Sequence, residues 1–278
     1  MFNVIRMELH RMFRTRSFYI TLAVNVILIV LLFSMMASSI NEGFAAAKNS
    51  VRQNVEGLEM EMILDNRYGP NPMNVCFSFT GWSILFVVIF MACFVGRFYK
   101  DGFCKNVMGS RGYRFRFQMA QSVCAVLYSV VNIILAGTVS LLMAKALIQS
   151  FTFAYLDIFC LNLFGQFLLL CAVGSFSAFL TEWTRSTVPA IVYIFLLSTN
   201  IVAMMTSYID SHLSDWLHKE FVTANYLPSL YFTNQFLLDV SDSAKNNAML
   251  LHATLLSLVF FVIYNVAGSA LITKRDIK

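Results

Sequence analysis

The chain has 278 residues, of which 58% are hydrophobic and only 13% charged, with mean hydropathy +0.68; soluble domains run at about 45–50% apolar and about 25% charged. Such a chain cannot cover a water-soluble surface, and 27 Phe and 15 Met against 4 Pro and 12 Gly exclude a disordered, collagen-like or low-complexity protein. The net charge of +5 is distributed around apolar runs rather than gathered for nucleic acid, so the sequence predicts a polytopic membrane protein with no nucleic-acid partner.

In chain order, Met1–Ser17 places Phe2, Ile5, Leu9, Met12 and Phe13 on one helical face, with His10, Arg11 and Arg14 opposite. This is the pattern of a basic amphipathic helix lying in a membrane interface. A helix crossing a hydrocarbon core needs roughly 20 mainly apolar residues. Six stretches qualify: Phe18–Met36, Val75–Val95, Ala120–Ala144, Asp157–Leu180, Val188–Met205 and Leu250–Ile272. The period-2 alternation of a membrane barrel is absent, so helices are expected throughout. A cleaved signal would have an apolar region of about 7–15 residues; Phe18–Met36 is longer, and its removal would leave five spans.

Two segments outside the lipid are large, 37–74 and 206–249. In Asn41–Tyr68, Val51, Val55, Leu58 and Met62 recur at four-three-four spacing, one heptad after Phe44, which predicts a short external helix ended by Gly69-Pro70-Asn71-Pro72. Ser207–Asn247 carries Trp216, Phe221, Tyr226, Tyr231, Phe232 and Phe236, which suit the headgroup region. Pro228 predicts two short helices, partly dipping into the membrane. His212, Asp215, His218 and Glu220 lack the i,i+4 spacing of a helical metal site and read as solvated polar residues. The six cysteines show no CxxC or zinc spacing and read as small hydrophobes.

The charges between spans alternate. The amino terminus, the second-to-third and fourth-to-fifth connections and the carboxyl tail together hold fourteen basic residues against four acidic ones, Glu8, Asp101, Glu182 and Asp276. The other side holds six against eleven. The positive-inside bias then predicts both termini in the cytoplasm. No ionisable residue lies deep in a span; Lys145, Asp157 and His252 sit at edges. The interior polar groups, such as Asn25, Asn132, Gln166, Ser198 and Asn200, are expected to hydrogen-bond between helices. No G-x-x-x-x-G-K-[ST] phosphate loop is present. Spans without an ion relay or a nucleotide site predict neither an enzyme nor an ion-coupled carrier, but a chain whose energy source is elsewhere.

The stretch Phe98–Gln121, FYKDGFCKNVMGSRGYRFRFQMAQ, resembles the loop between the second and third spans in permeases of the type-2 ABC exporter family. That loop runs through an acidic residue, a glycine turn, a lysine, a short apolar helix and a basic residue; Asp101, Gly102, Lys105, Val107-Met108 and Arg111 stand at those positions. The acidic residue directly precedes the glycine here, and Gln121 stands where a lysine often opens the third span. The basic ending Lys274-Arg275-Asp276-Ile277-Lys278 is also similar to the family's tail. The resemblance implies one all-α transmembrane permease domain over residues 1–278, in a bacterial cytoplasmic membrane. It implies a second permease subunit, identical or not, and a separate cytoplasmic ABC ATPase that binds ATP and magnesium, with no cofactor on this chain. It also implies a coupling helix built from Lys100, Asp101, Gly102, Phe103, Lys105, Val107, Met108 and Arg111, and no catalytic residue. With no strong polar site in the spans, the expected cargo is amphipathic, lipid-like or a peptide. A non-transporting scaffold or sensor subunit is the alternative that shares this topology, and an ion-coupled carrier is the weaker one.

Overall fold

In lipid no water satisfies a bare peptide group, so an apolar chain of this composition closes its backbone hydrogen bonds within helices. A computed structural model describes residues 2–54, 72–100, 111–148, 151, 153, 155–199, 201–217, 222–236, 238 and 243–274. Among these residues the elements are α1 (Phe2–Arg14), α2 (Arg16–Asn54), α3 (Pro72–Thr80), α4 (Ser83–Lys100), α5 (Arg111–Leu147), α6 (Leu156–Thr184), α7 (Val188–Ser198), α8 (Ile201–Leu217) and α9 (Ser243–Lys274). Between α8 and α9 lie a 3-10 turn, Thr223–Asn225, a helical turn, Pro228–Leu230, and a π turn, Tyr231–Gln235.

Five of these stretches are long and apolar enough to cross a membrane: Arg16–Ser39, Cys76–Lys100, Phe115–Leu147, Leu156–Thr184 and Lys245–Thr273. They contain the first, third, fourth and sixth predicted spans and all of the second but Val75. The fifth, Val188–Met205, is not one helix. It breaks after Ser198, and α7 and α8 meet at 74°, so the count reaches six only if this bent pair is taken as one span. The cause is local: Thr199 bonds back to the Phe195 carbonyl through both its amide and its hydroxyl, at 3.1 Å each, and Ser198 donates to the same carbonyl at 2.9 Å. Hydroxyls that return to carbonyls three and four residues back bend helices. The predicted external helix is corrected as well. Residues 41–54 continue α2 without interruption, and Val55, Leu58 and Met62 lie outside the described residues.

The span Cys76–Lys100 is the most enclosed, with 72% of its apolar stretch buried, against 28% for the first span and 22% for the last. On it Phe90 stacks on Tyr128 of α5 at 3.9 Å between ring centroids, with Phe18 of α2 edge-on to both rings. Gly174 and Ala178, a small pair one helical turn apart, are both buried; a Cβ at Gly174 would stand 3.2 Å from Val87 and 3.6 Å from Ala125, so three helices meet there. Amide bonds set the register. Asn25 donates to Asn132 at 2.8 Å, and Asn132 donates to the Ser83 carbonyl at 3.1 Å. Such contacts average about 0.6 kcal/mol between membrane helices, so packing holds the bundle and the amides choose its alignment.

The segment after Pro228, expected to dip partly into the membrane, folds back into the bundle. Leu230, Tyr231, Phe232, Phe236 and Leu238 are buried, so Tyr231, Phe232 and Phe236 are not headgroup aromatics; Tyr226 remains exposed, and Phe221 and the side chain of Trp216 lie outside the described residues. Phe236 fills the space left by Gly165 on α6, where a Cβ would come within 2.2 Å of the ring. Gly165→Ala is therefore expected to destabilise the protein by about 1–3 kcal/mol through overpacking, and adding Phe236→Leu to recover part of that loss; thermal unfolding in detergent measures both.

Candidate functional site

Contacts gather the sequence-distant basic stretches at one end of the bundle. Arg11 of α1 makes a 2.7 Å ion pair with Glu8 and lies 4.3 Å above the ring of Phe94 and 5.5 Å from that of Phe98, both on α4. Val4, Glu8 and Met12 form the buried edge of α1. Of the predicted apolar face, Met12 is buried, Ile5 and Leu9 are half-buried, Phe13 is 48% exposed, and the side chain of Phe2 lies outside the described residues. The correction is a rotation. The protein-facing edge lies about a quarter turn from the centre of the apolar stripe at 100° per residue, and its middle residue is a carboxylate. Burial pushes Glu8 up to about 7, with Arg11 pulling the other way.

Lys100 closes α4 and Arg111 opens α5, so the predicted coupling loop springs from this same end. Asp101, Gly102, Phe103, Lys105, Val107 and Met108 lie outside the described residues, as does the side chain of Arg111. Beside the loop's roots is a polar layer that sequence patterning does not reveal. Glu182, counted from sequence as a connecting-loop charge, is buried near the end of α6 and accepts two bonds from the amide of Gln118, at 2.6 and 3.0 Å. Gly268 of α9 makes the room, since a Cβ there would stand 2.7 Å from the Gln118 amide and 2.8 Å from the carboxylate. Ser122 donates to Asn265, and Asn265 to the Phe261 carbonyl at 2.7 Å. Gln121 is fully buried, with neither end of its amide partnered among the described residues.

Toward the other end, where Asn41 of α2 donates to the Leu147 carbonyl at the close of α5, a cavity of about 360 Å³ opens between α3, α4, α6, α7 and the folded-back segment. Phe77, Trp82, Leu85, Ile194, Leu197, Phe232 and Phe236 line it together with Ser78, Ser198 and Thr233, and among the described residues no formally charged side chain does. Gln166 is its buried polar group. Its amide nitrogen donates to the Phe77 carbonyl at 3.3 Å, an interhelical bond of the kind expected, while its Oε1 has no partner among the described residues. Aromatic and aliphatic walls interrupted by neutral hydroxyls and the Gln166 oxygen suit an uncharged body that carries an N–H or O–H beside apolar surface. Outside the cavity, Asp210 caps the 3-10 turn by accepting from the Thr223 amide at 3.0 Å, and His212 packs on Tyr208. Among the described residues no group of His, Cys, Asp and Glu has the arrangement of a metal site; His218 and Glu220 lie outside them.

Raising the pH is expected to loosen α1. An unperturbed carboxyl titrates near 4.5 and Glu8 in the fold at about 7, so the folded state holds the proton more tightly. Its contribution is complete below 4.5 and is lost as pH rises through about 7. Hydrogen exchange of α1 between pH 5 and 8 should therefore report falling protection, and Glu8→Gln should flatten the profile.

No model of a known protein family matches the chain, and no curated protein matches it either.

Proposed function

We propose that this chain is the membrane-spanning subunit of an ATP-driven exporter, working with a second permease subunit and a separate cytoplasmic ATPase that carries ATP and magnesium. The observation that carries this reading is the gathering of α1, the roots of the α4–α5 connection, the α6–α7 turn and the carboxyl end of α9 at one end of the bundle. The positive-inside bias makes that end cytoplasmic, which puts both termini inside and the loop from Lys100 to Arg111 within reach of a cytoplasmic partner. Its basic residues would steer docking, and Phe103, Val107 and Met108 would supply apolar contact.

The roots of that loop are the ends of the most enclosed span and of a 37-residue helix, so a displacement of the loop reaches the bundle interior through rigid elements. The uncharged cavity with the free Gln166 oxygen suits an amphipathic cargo better than a small ion. The exposed apolar faces of α2 and α9, which include Leu31, Met35, Leu255, Leu258 and Val262, leave area for a second permease subunit as well as for lipid. A bacterial cytoplasmic membrane is the setting this reading implies.

Co-purification in mild detergent with ATPase subunits from the same cell tests the proposal. Wild type is expected to bring down an ATPase, and the folded double variant Gly102→Pro, Lys105→Glu to lose it. If well-folded wild type brings down no ATPase, the exporter reading fails and a scaffold or sensor subunit takes its place; transport that follows an ion gradient instead would favour a carrier.

A further inference from the structure

The elbow between α1 and α2 borders a shallow, open notch that the charge alternation does not foresee. Arg11 and Arg14 from the last turn of α1, Arg16 at the start of α2 and Arg97 from α4 all line it, together with His10 and Thr15. Arg97 is some eighty residues from the others in sequence and arrives only through the packing of α1 against α4. Glu8 engages Arg11, whereas Arg14, Arg16 and Arg97 are exposed and have no acidic partner among the described residues. Helix α2 opens here with no acidic residue in its first turn, so the positive pole of its dipole adds to the guanidinium charge. Thr15 turns its hydroxyl back onto the Arg11 carbonyl at 2.7 Å, which fixes the corner. Phe13, next to Arg14 in sequence, and Tyr19 and Ile20, one turn along α2 from Arg16, are exposed apolar side chains on the same two helices, and Met7 lines the notch itself.

Beside the Glu8-engaged Arg11, three guanidiniums without an acidic partner among the described residues, those of Arg14, Arg16 and Arg97, line one notch, and planar guanidiniums bind phosphate oxygens through paired hydrogen bonds. Apolar side chains beside the charge match an acyl chain descending from a headgroup. We propose that this elbow is a binding site for a phosphate group, supplied by an anionic phospholipid, which bridges α1, α2 and α4. The bridge would hold α1 against the root of the Lys100–Arg111 connection, and it stands whether or not the chain exports anything.

The test is lipid retention by the full chain, measured by native mass spectrometry after reconstitution with phosphatidylglycerol and phosphatidylcholine. Wild type is expected to keep phosphatidylglycerol selectively, Arg14→Gln with Arg97→Gln to lose that preference by about tenfold, and Arg97→Lys to lose less. Arg185→Gln, at the same end but outside the notch, serves as the control and should retain the wild-type preference. Glycerophosphate added to protein in phosphatidylcholine alone distinguishes the sources: failure to protect α1 from hydrogen exchange supports the lipid, and protection equal to that by phosphatidylglycerol overturns the lipid in favour of a soluble phosphate. Equal retention by wild type and the double variant, or an equal loss in the Arg185→Gln control, overturns the site.

Discussion

The rest of the bundle depends on the enclosure of one span. Cys76–Lys100 is buried on nearly every side, and its neighbours are placed by what they bring to it: Phe18 and Tyr128 to Phe90, Gly174 to Val87, Ser177 to the Val88 carbonyl at 2.9 Å. Hydrophobic burial cannot select such an arrangement in lipid, where the solvent is as apolar as the side chains. Shape has to select it. The small residues Gly174 and Ala178, the stacked rings and the few amide bonds do so by making one alignment of the helices closer-packed than its neighbours.

The two ends of that span face different chemistry. At one, formal charge is abundant and is sorted by depth: the exposed arginines remain at the surface, while Glu8 and Glu182 are drawn inward and matched with a guanidinium and an amide respectively. At the other, the cavity is lined among the described residues by aromatic and aliphatic side chains, the hydroxyls of Ser78, Ser198 and Thr233 and the Gln166 amide, with no formal charge. A bundle built this way separates a charged surface from an uncharged chamber, and the enclosed span runs from one to the other.

Much of this was legible in the sequence because lipid imposes a length and polarity rule on every segment that crosses it. The runs at Phe18, Ala120, Asp157 and Leu250 each lie within a long helix. What the rule cannot see is which face of a helix meets protein. The stripe through Ile5, Leu9 and Phe13 is the most apolar face of α1, yet the protein takes the adjacent edge with Glu8 at its centre. Glu182 reads as a loop charge because hydropathy stops at Leu180 while the hydrogen-bonded helix continues to Thr184. Phe236 reads as a headgroup aromatic because nothing local announces that Gly165, seventy residues earlier, has left room for its ring. The break after Ser198 was hidden by a mean hydropathy that Ser198, Thr199 and Asn200 lower only slightly.

Helix α2 runs for 39 residues without interruption, about 58 Å at 1.5 Å per residue, nearly twice the thickness of a hydrocarbon core of about 30 Å. It begins at the arginine elbow and reaches well past the level where the apolar run ends. It therefore has the geometry of a lever with its fulcrum at the elbow: a tilt of about 10° there would carry its far tip through roughly 10 Å by that same rise per residue. A small adjustment at the charged surface and a large excursion beyond the opposite one are, for this chain, the same motion.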